Sequence, residues 1–206
     1  MKYDGLLFDF DGVIADTEPI HWNSWRFALA PYNLDLSWDD YCRVCRGLAP
    51  SAMRPALRTV VPGVDRVPNL EDRYHQAKDE AFAHLADHPP ITAETIAMLH
   101  GLKHVIRAGL VTSAMRITVE PVLHKTGIHS VFDAFVYRED VTHPKPAPDA
   151  YRIGAERLGG QRILVFEDTP AGLESARAAG LDVVFVDDCA RLPELVRACG
   201  VTEPRP

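Results

Sequence analysis

Hydrophobic positions along this chain fall into two regimes. Leu6-Leu7-Phe8 is a short apolar run of the right length for a buried strand, and it stops at Asp9-Phe10-Asp11-Gly12. From about Glu18 to Leu85 no strand pattern follows. Trp22, Trp25, Phe27 and Leu29 lie on helix-like spacings, and Asp72 to Leu85 reads as an amphipathic helix. Pro50, Pro55, Pro62 and Pro68 cut the middle into short helices and loops, and Pro89-Pro90 marks the far boundary.

Beyond that boundary strands and helices alternate. Strands are predicted at 107–112, 134–137, 162–166 and 182–187. Helices are predicted at 91–102, 117–126, 148–158, 170–179 and 193–199. Gly127, Gly159 and Gly180 stand where helices should stop. Short apolar strands separated by helices imply a parallel sheet with right-handed crossovers. The expected architecture is therefore α/β, with residues 1–15 and 88–206 forming the sheet-bearing core and residues 16–87 a helical insert. Thr202 to Pro206 are expected to fray.

Composition narrows the function classes. The chain has 206 residues, 47% of them hydrophobic, enough for a real core. Its formal charge is -7 and it has no long basic run, which argues against a nucleic-acid partner. No segment is long enough to span a bilayer. Asp9 and Asp11 interrupt the N-terminal apolar stretch where a signal peptide would be uncharged, so a cytoplasmic location is expected. Cys42 and Cys45 form a C-x-x-C, but no second closely spaced ligand pair accompanies them, and reduced thiols are expected.

Candidate chemistry collects at the strand ends. Positions i and i+2 of an extended chain face the same side, so Asp9 and Asp11 can enter one pocket. Two carboxylates that close need a cation, a shared proton or a task. Mg²⁺ suits such an oxygen-rich strand end. The next strand ends in Thr112-Ser113, the loop after the third carries Lys145 between prolines that should hold it extended, and the fourth strand ends in Glu167-Asp168. Each has a plainer reading: helix caps for Thr112, Ser113 and Thr169-Pro170, a surface position for Lys145, a turn for Asp168. Parallel neighbouring strands would bring all four clusters to one edge of the sheet. That set suits phosphoryl transfer to a carboxylate: one Asp as nucleophile, a second to move the proton, a hydroxyl and N–H groups for the phosphoryl oxygens, and a lysine for the charge.

Asp9-Phe-Asp11-Gly-Val, Val-Thr112-Ser113, Lys145-Pro-x-Pro-Asp149 and Glu167-Asp168-x-x-Ala-Gly172, in that order, resemble the haloacid dehalogenase superfamily, in its phosphatase and β-phosphoglucomutase-like branch. The resemblance implies a Rossmann-like parallel sheet with helices on both faces and a small all-helical cap inserted after the first strand. It implies Asp9 as nucleophile, Asp11 as general acid/base, Thr112 on the phosphoryl group and Lys145 on nucleophile and phosphate. It also implies Mg²⁺ held by Asp9, Asp168 and the main-chain carbonyl of Asp11, with Glu167 acting through a metal-bound water. Asp11 argues against dehalogenase and phosphonatase chemistry, neither of which places an acid there.

Within the branch, two activities stay open. Asp16 to His21 resembles the mutase segment, including its histidine, and His21 reads either as a substrate contact or as a helix-face residue packed beside Trp22 and Trp25. Pro50 replaces the mutase arginine in the loop containing Gly47, and Ala114-Met115-Arg116 replaces its donors after Ser113. Arg46, Lys78 and Arg116 are the remaining candidates to grip a distal phosphate. The expectation is a Mg²⁺-dependent phosphatase for a small phosphorylated metabolite such as a sugar phosphate, monomeric or weakly dimeric. The alternatives are a sugar-phosphate isomerase and a binding protein without turnover.

Overall fold

The computed structural model describes residues 2–48 and 50–201, and the side chains of these apart from Pro50 and Ser51. The expectations for residues 202–206 and for the Pro50 side chain fall outside the described residues. The chain forms two compact units. One runs through Asp16 and resumes at Ala86, and the other comprises Thr17–Leu85.

In the first unit, β1 (Gly5–Phe8), β2 (Arg107–Val111), β3 (Ala134–Val136), β4 (Ile163–Glu167) and β5 (Asp182–Phe185) form one parallel sheet in the order β3-β2-β1-β4-β5. β1 is central because its residues are apolar on both faces, and all four are buried. Leu7 packs with Val111, Val165, Tyr151 and Ala176 on one face. On the other face Phe8 stacks on Phe166 and meets Phe132 edge-on, at centroid distances of 5.0 and 6.5 Å. Strand alternation thus gives each face its own layer of side chains.

The sequence reads the elements correctly and shifts their ends by one or two residues. The predicted third strand stops at Val136 because the Tyr137 N–H donates to Asp140 Oδ2 (2.9 Å), which starts a 3₁₀ turn. Beyond the strand, the predicted extended run around Lys145 is a turn instead, closed by Ala147 N–H donating to Pro144 O (3.0 Å). The Ser175 hydroxyl, fully buried, ties that turn down by donating to Ala147 O (2.6 Å). At the boundary between units the Asp16 N–H donates to Pro90 O (2.8 Å), so the outgoing and returning chains are joined within the first unit.

The second unit is helical: α1 (Glu18–Leu29), α2 (Trp38–Val44), α3 (Pro50–Leu57) and α4 (Leu70–Ala83); the helices of the first unit continue the numbering from α5 (Ala93–Leu102). Its core contains Trp25, Leu29, Leu36, Met53, Leu57 and Tyr74, with Trp25 stacked on Tyr74 at 3.9 Å. Phe27, on the same predicted periodicity, is 62% exposed, because it lies on the face of α1 turned away from α4. Cys42 is exposed and Cys45 buried, and both are thiols. Burial pushes the Cys45 thiol up to about 11, the opposite of what a reactive cysteine requires. Among the described residues no helix is long and apolar enough to cross a membrane.

Candidate active site

The strand order places the site. β1 leads to β2 and β3 on one side, and the chain then returns to lay β4 on the other side of β1. Ligands in open parallel sheets bind beyond the carboxyl ends of the strands where the order reverses, which here is between β1 and β4. Asp9 follows β1, with its N–H donating to Phe166 O (3.0 Å), and Glu167 and Asp168 end β4 beside it. Thr112 follows β2 on the other flank, with its N–H donating to Val136 O (2.9 Å).

Lys145 gathers this rim. Its ammonium donates to Asp9 Oδ1 and to Glu167 Oε1, both at 2.7 Å, and lies 3.2 Å from the Tyr151 hydroxyl and 3.4 Å from Val111 O. The Lys145, Asp9 and Glu167 side chains are only 7%, 9% and 1% exposed, so these ion pairs are sheltered from water and salt. Both Glu167 oxygens are committed. Oε1 accepts from Lys145 and from the Tyr151 hydroxyl (3.1 Å), and Oε2 accepts from the Thr169 N–H (2.9 Å) and hydroxyl (3.1 Å). Thr169 caps α8 (Pro170–Ala178) by accepting from the Gly172 N–H (3.0 Å), so the cap reading holds for Thr169 while Glu167 anchors to the same turn.

Two glycines make room for the carboxylates. Gly12 has φ +72°, and a Cβ there would collide with the Asp168 carboxylate. A Cβ at Gly172 would collide with Glu167. The loop after β1 is pinned by Gly12 N–H to Ala15 O (2.8 Å) and Ile14 N–H to Phe10 O (3.0 Å), which fixes Asp11 between them.

The electrostatics show what the rim needs. Burial is the main cause that pushes Asp9 well above the usual carboxylate range; Lys145 opposes it, and Glu167, Asp168 and Asp11 add to it. Burial disfavours the Lys145 ammonium, yet Asp9, Tyr151 and Glu167 more than offset that and hold it well above the usual lysine range. Glu167 also loses solvation but is drawn below its usual value, chiefly by Lys145. One ammonium faces several carboxylates, so the rim has surplus negative charge. Asp9, Glu167 and Asp168 each offer a carboxylate oxygen, and these oxygens lie within 4.8 Å of one another. An all-oxygen, anionic donor set of this kind fits Mg²⁺, a hard cation.

The other predicted residues are placed as follows. Thr112 is buried, and its Oγ1 accepts from the Ala114 N–H (3.0 Å); it does not cap α6 (Arg116–Lys125), whose N-cap is Met115. Ser113 is exposed two residues before that cap. Arg116 pairs with Glu120 (2.7 Å) and lies 4.3 Å above the Tyr137 ring. In the helical unit, Arg46 and Gly47 lie exposed in the turn after α2, Gly47 with φ +73°. Lys78 lies 3.5 Å from Asp79 and over the Phe82 ring. His21 Nδ1 is hydrogen-bonded to the Tyr74 hydroxyl (2.7 Å) and packs against Phe82. Burial pushes its imidazole down to about 4.

The sequence reading missed Tyr151. It sits six residues after Lys145 on α7 (Asp149–Leu158) and is fully buried. A tyrosine on the core face of a helix reads as packing, and only its hydroxyl's partners reveal more.

Comparison with known proteins identifies the family. Residues 6–186 match the haloacid dehalogenase-like hydrolase family. The chain is 31% identical over 187 residues to the fructose-1-phosphate phosphatase of Escherichia coli (strain K12), an alignment spanning 90% of this chain and 97% of that protein. It is 27% identical over 184 residues to a phosphorylated carbohydrates phosphatase of Thermotoga maritima, covering 88% of this chain and 84% of the relative. Its fold matches the crystal structure of a β-phosphoglucomutase from Clostridium difficile with a TM-score of 0.64, at 23% identity, over 88% of this chain and 83% of that one.

Proposed function

The chain belongs to the haloacid dehalogenase-like hydrolases, and from that premise we propose that it is a phosphatase for phosphorylated carbohydrates that works through an aspartyl-phosphate on Asp9. The observation that carries this reading is the buried Lys145 ammonium held between Asp9 and Glu167 at the β1–β4 switch point. A lysine so placed has little structural reason to be there, since a buried ion pair is a weak source of stability. It has a chemical reason, because phosphoryl transfer to a carboxylate accumulates negative charge at that spot. The named activities of the Escherichia coli and Thermotoga maritima relatives support the substrate class.

In the proposed reaction Asp9 attacks phosphorus, and the bond between phosphorus and the leaving oxygen breaks. Asp11 gives its proton to that oxygen. Asp11, now charged, takes a proton from water as the water oxygen attacks the same phosphorus. The Asp9–phosphorus bond then breaks, restoring Asp9 and releasing inorganic phosphate. Lys145 balances charge on Asp9 and on the transferred oxygens, and Thr112 offers its hydroxyl to one of them. Asp9, Asp168 and the Asp11 carbonyl would hold Mg²⁺, with Glu167 beside them. When bound, Mg²⁺ supplies charge neutralisation between carboxylate and phosphate.

The test is a panel of sugar and polyol phosphates with Mg²⁺, following free phosphate and sugar-phosphate isomers. Release of phosphate from carbohydrate phosphates is the expected result. Isomerisation without release would assign the mutase activity, and inactivity on the whole panel would refute the enzyme reading. Activity should vanish in EDTA and return with added Mg²⁺; full activity after thorough chelation would remove the metal from the account.

A further inference from the structure

We propose that Tyr151 is a positioning residue that keeps the Lys145 ammonium aimed at Asp9, a role that rests on the phosphatase reading above. The argument is one of donors and acceptors. The ammonium has three protons and four oxygens within reach: Asp9 Oδ1 and Glu167 Oε1 at 2.7 Å, Tyr151 Oη at 3.2 Å and Val111 O at 3.4 Å. Tyr151 does two things in this set. Its oxygen takes one ammonium proton, and its own proton goes to Glu167 Oε1 at 3.1 Å. The phenol ring also lies beneath the ammonium, 4.7 Å from centroid to nitrogen.

Glu167 and Asp9 compete for the same cation. Glu167 is fixed by Thr169 and the α8 turn, and it is the more deeply buried of the two. By giving Glu167 Oε1 a second donor, Tyr151 satisfies part of that carboxylate's demand and moderates its pull on the lysine. Removing only the hydroxyl leaves Oε1 with Lys145 alone. The ammonium then moves toward Glu167 and Val111 O and away from Asp9. Lys145 is in turn fixed by the turn that Ser175 anchors, so such a change falls on the end of the side chain rather than on its backbone.

Tyr151→Phe tests this, because it keeps the ring beneath the ammonium and removes one oxygen. With a carbohydrate phosphate or p-nitrophenyl phosphate, kcat is expected to fall roughly tenfold to hundredfold with KM within about twofold. In a Lys145→Met background the same change should lower the residual kcat by less than about twofold, since Tyr151 acts through the lysine. An equal loss in both backgrounds, or an unchanged kcat in Tyr151→Phe, overturns the proposal. If Tyr151→Phe is poorly soluble, Tyr151→Met repeats both comparisons with a flexible apolar filler. A crystal structure of Tyr151→Phe judges the positioning role without turnover. The expected result is Lys145 Nζ out of hydrogen-bond range of Asp9 Oδ1, and an unmoved ammonium contradicts it. Should the wild-type chain release no phosphate, the phosphatase reading falls, and that structure still decides whether Tyr151 positions Lys145.

Discussion

The rim of the sheet and the helical unit both bury ionisable groups, and they treat them in opposite ways. In the helical unit the buried polar pairs rest in neutral or singly charged states. His21 meets the Tyr74 hydroxyl and is held unprotonated, and the Tyr41 hydroxyl donates to Glu18 Oε2 at 2.6 Å. Arg54 forks onto Glu71 with two 3.0 Å bonds at a partly exposed position, where water shares the burden. At the rim, by contrast, Lys145, Asp9 and Glu167 are almost wholly buried with Asp168 alongside, and burial drives Asp9 up instead of leaving it comfortable. Buried polar groups that only support packing can be left neutral. Concentrated buried charge is costly and is expected where chemistry uses it.

The sharpest way to break this comparison is at Asp9. Asp9→Asn keeps the shape and removes one of several crowded carboxylates, so its melting temperature should match or exceed the wild type. Its kcat should fall at least about 10⁴-fold, on the order of 5 kcal/mol of barrier. A variant with near-normal turnover would refute the nucleophile assignment. Lys145→Met should hurt both properties, because it strands Asp9 and Glu167 without their cation. A kcat loss of about 10²–10³-fold is expected together with a stability loss of roughly 3–5 kcal/mol in urea unfolding. Retained stability would mean that the rim tolerates its surplus charge without the lysine.

The smallest effect lies in the helical unit. His21 has a depressed folded-state pKa of about 4, against an ordinary value near 6.5. Between those values the unfolded chain binds the extra proton, so stability rises with pH across that window. The stabilisation is fully present above pH 6.5 and is lost as pH falls toward 4, amounting to about 3 kcal/mol. The stability difference between wild type and His21→Gln, followed by thermal melts from pH 7 to pH 4, should shift by that amount against the wild type. A pH-independent difference would show that the imidazole is not held neutral.

How much of this was legible in the sequence follows from which signals are local. Strand runs such as Leu6 to Phe8 and the Gly127, Gly159 and Gly180 stops carry their own period and punctuation, and Asp9, Thr112, Lys145, Glu167 and Asp168 were readable because each ends an element or sits in its loop. Strand order was not local: that β4 lies beside β1 depends on packing of both faces, and it is what brings Glu167 to Lys145. The turn at Lys145 escapes a local reading because prolines suggest extension, whereas a hydrogen bond from the Ser175 hydroxyl, some thirty residues away in sequence, holds it folded. Tyr151 was invisible for the same reason, since its hydroxyl matters only through partners supplied by other segments.

The most direct measurement of the central claim is the stereochemical course at phosphorus. A carbohydrate thiophosphate made chiral by sulfur and oxygen isotopes is hydrolysed in isotopically labelled water, and the configuration of the released thiophosphate is read. Two in-line displacements, first by Asp9 and then by water, give overall retention. Inversion would mean that water attacks the substrate directly and that Asp9 never carries the phosphoryl group.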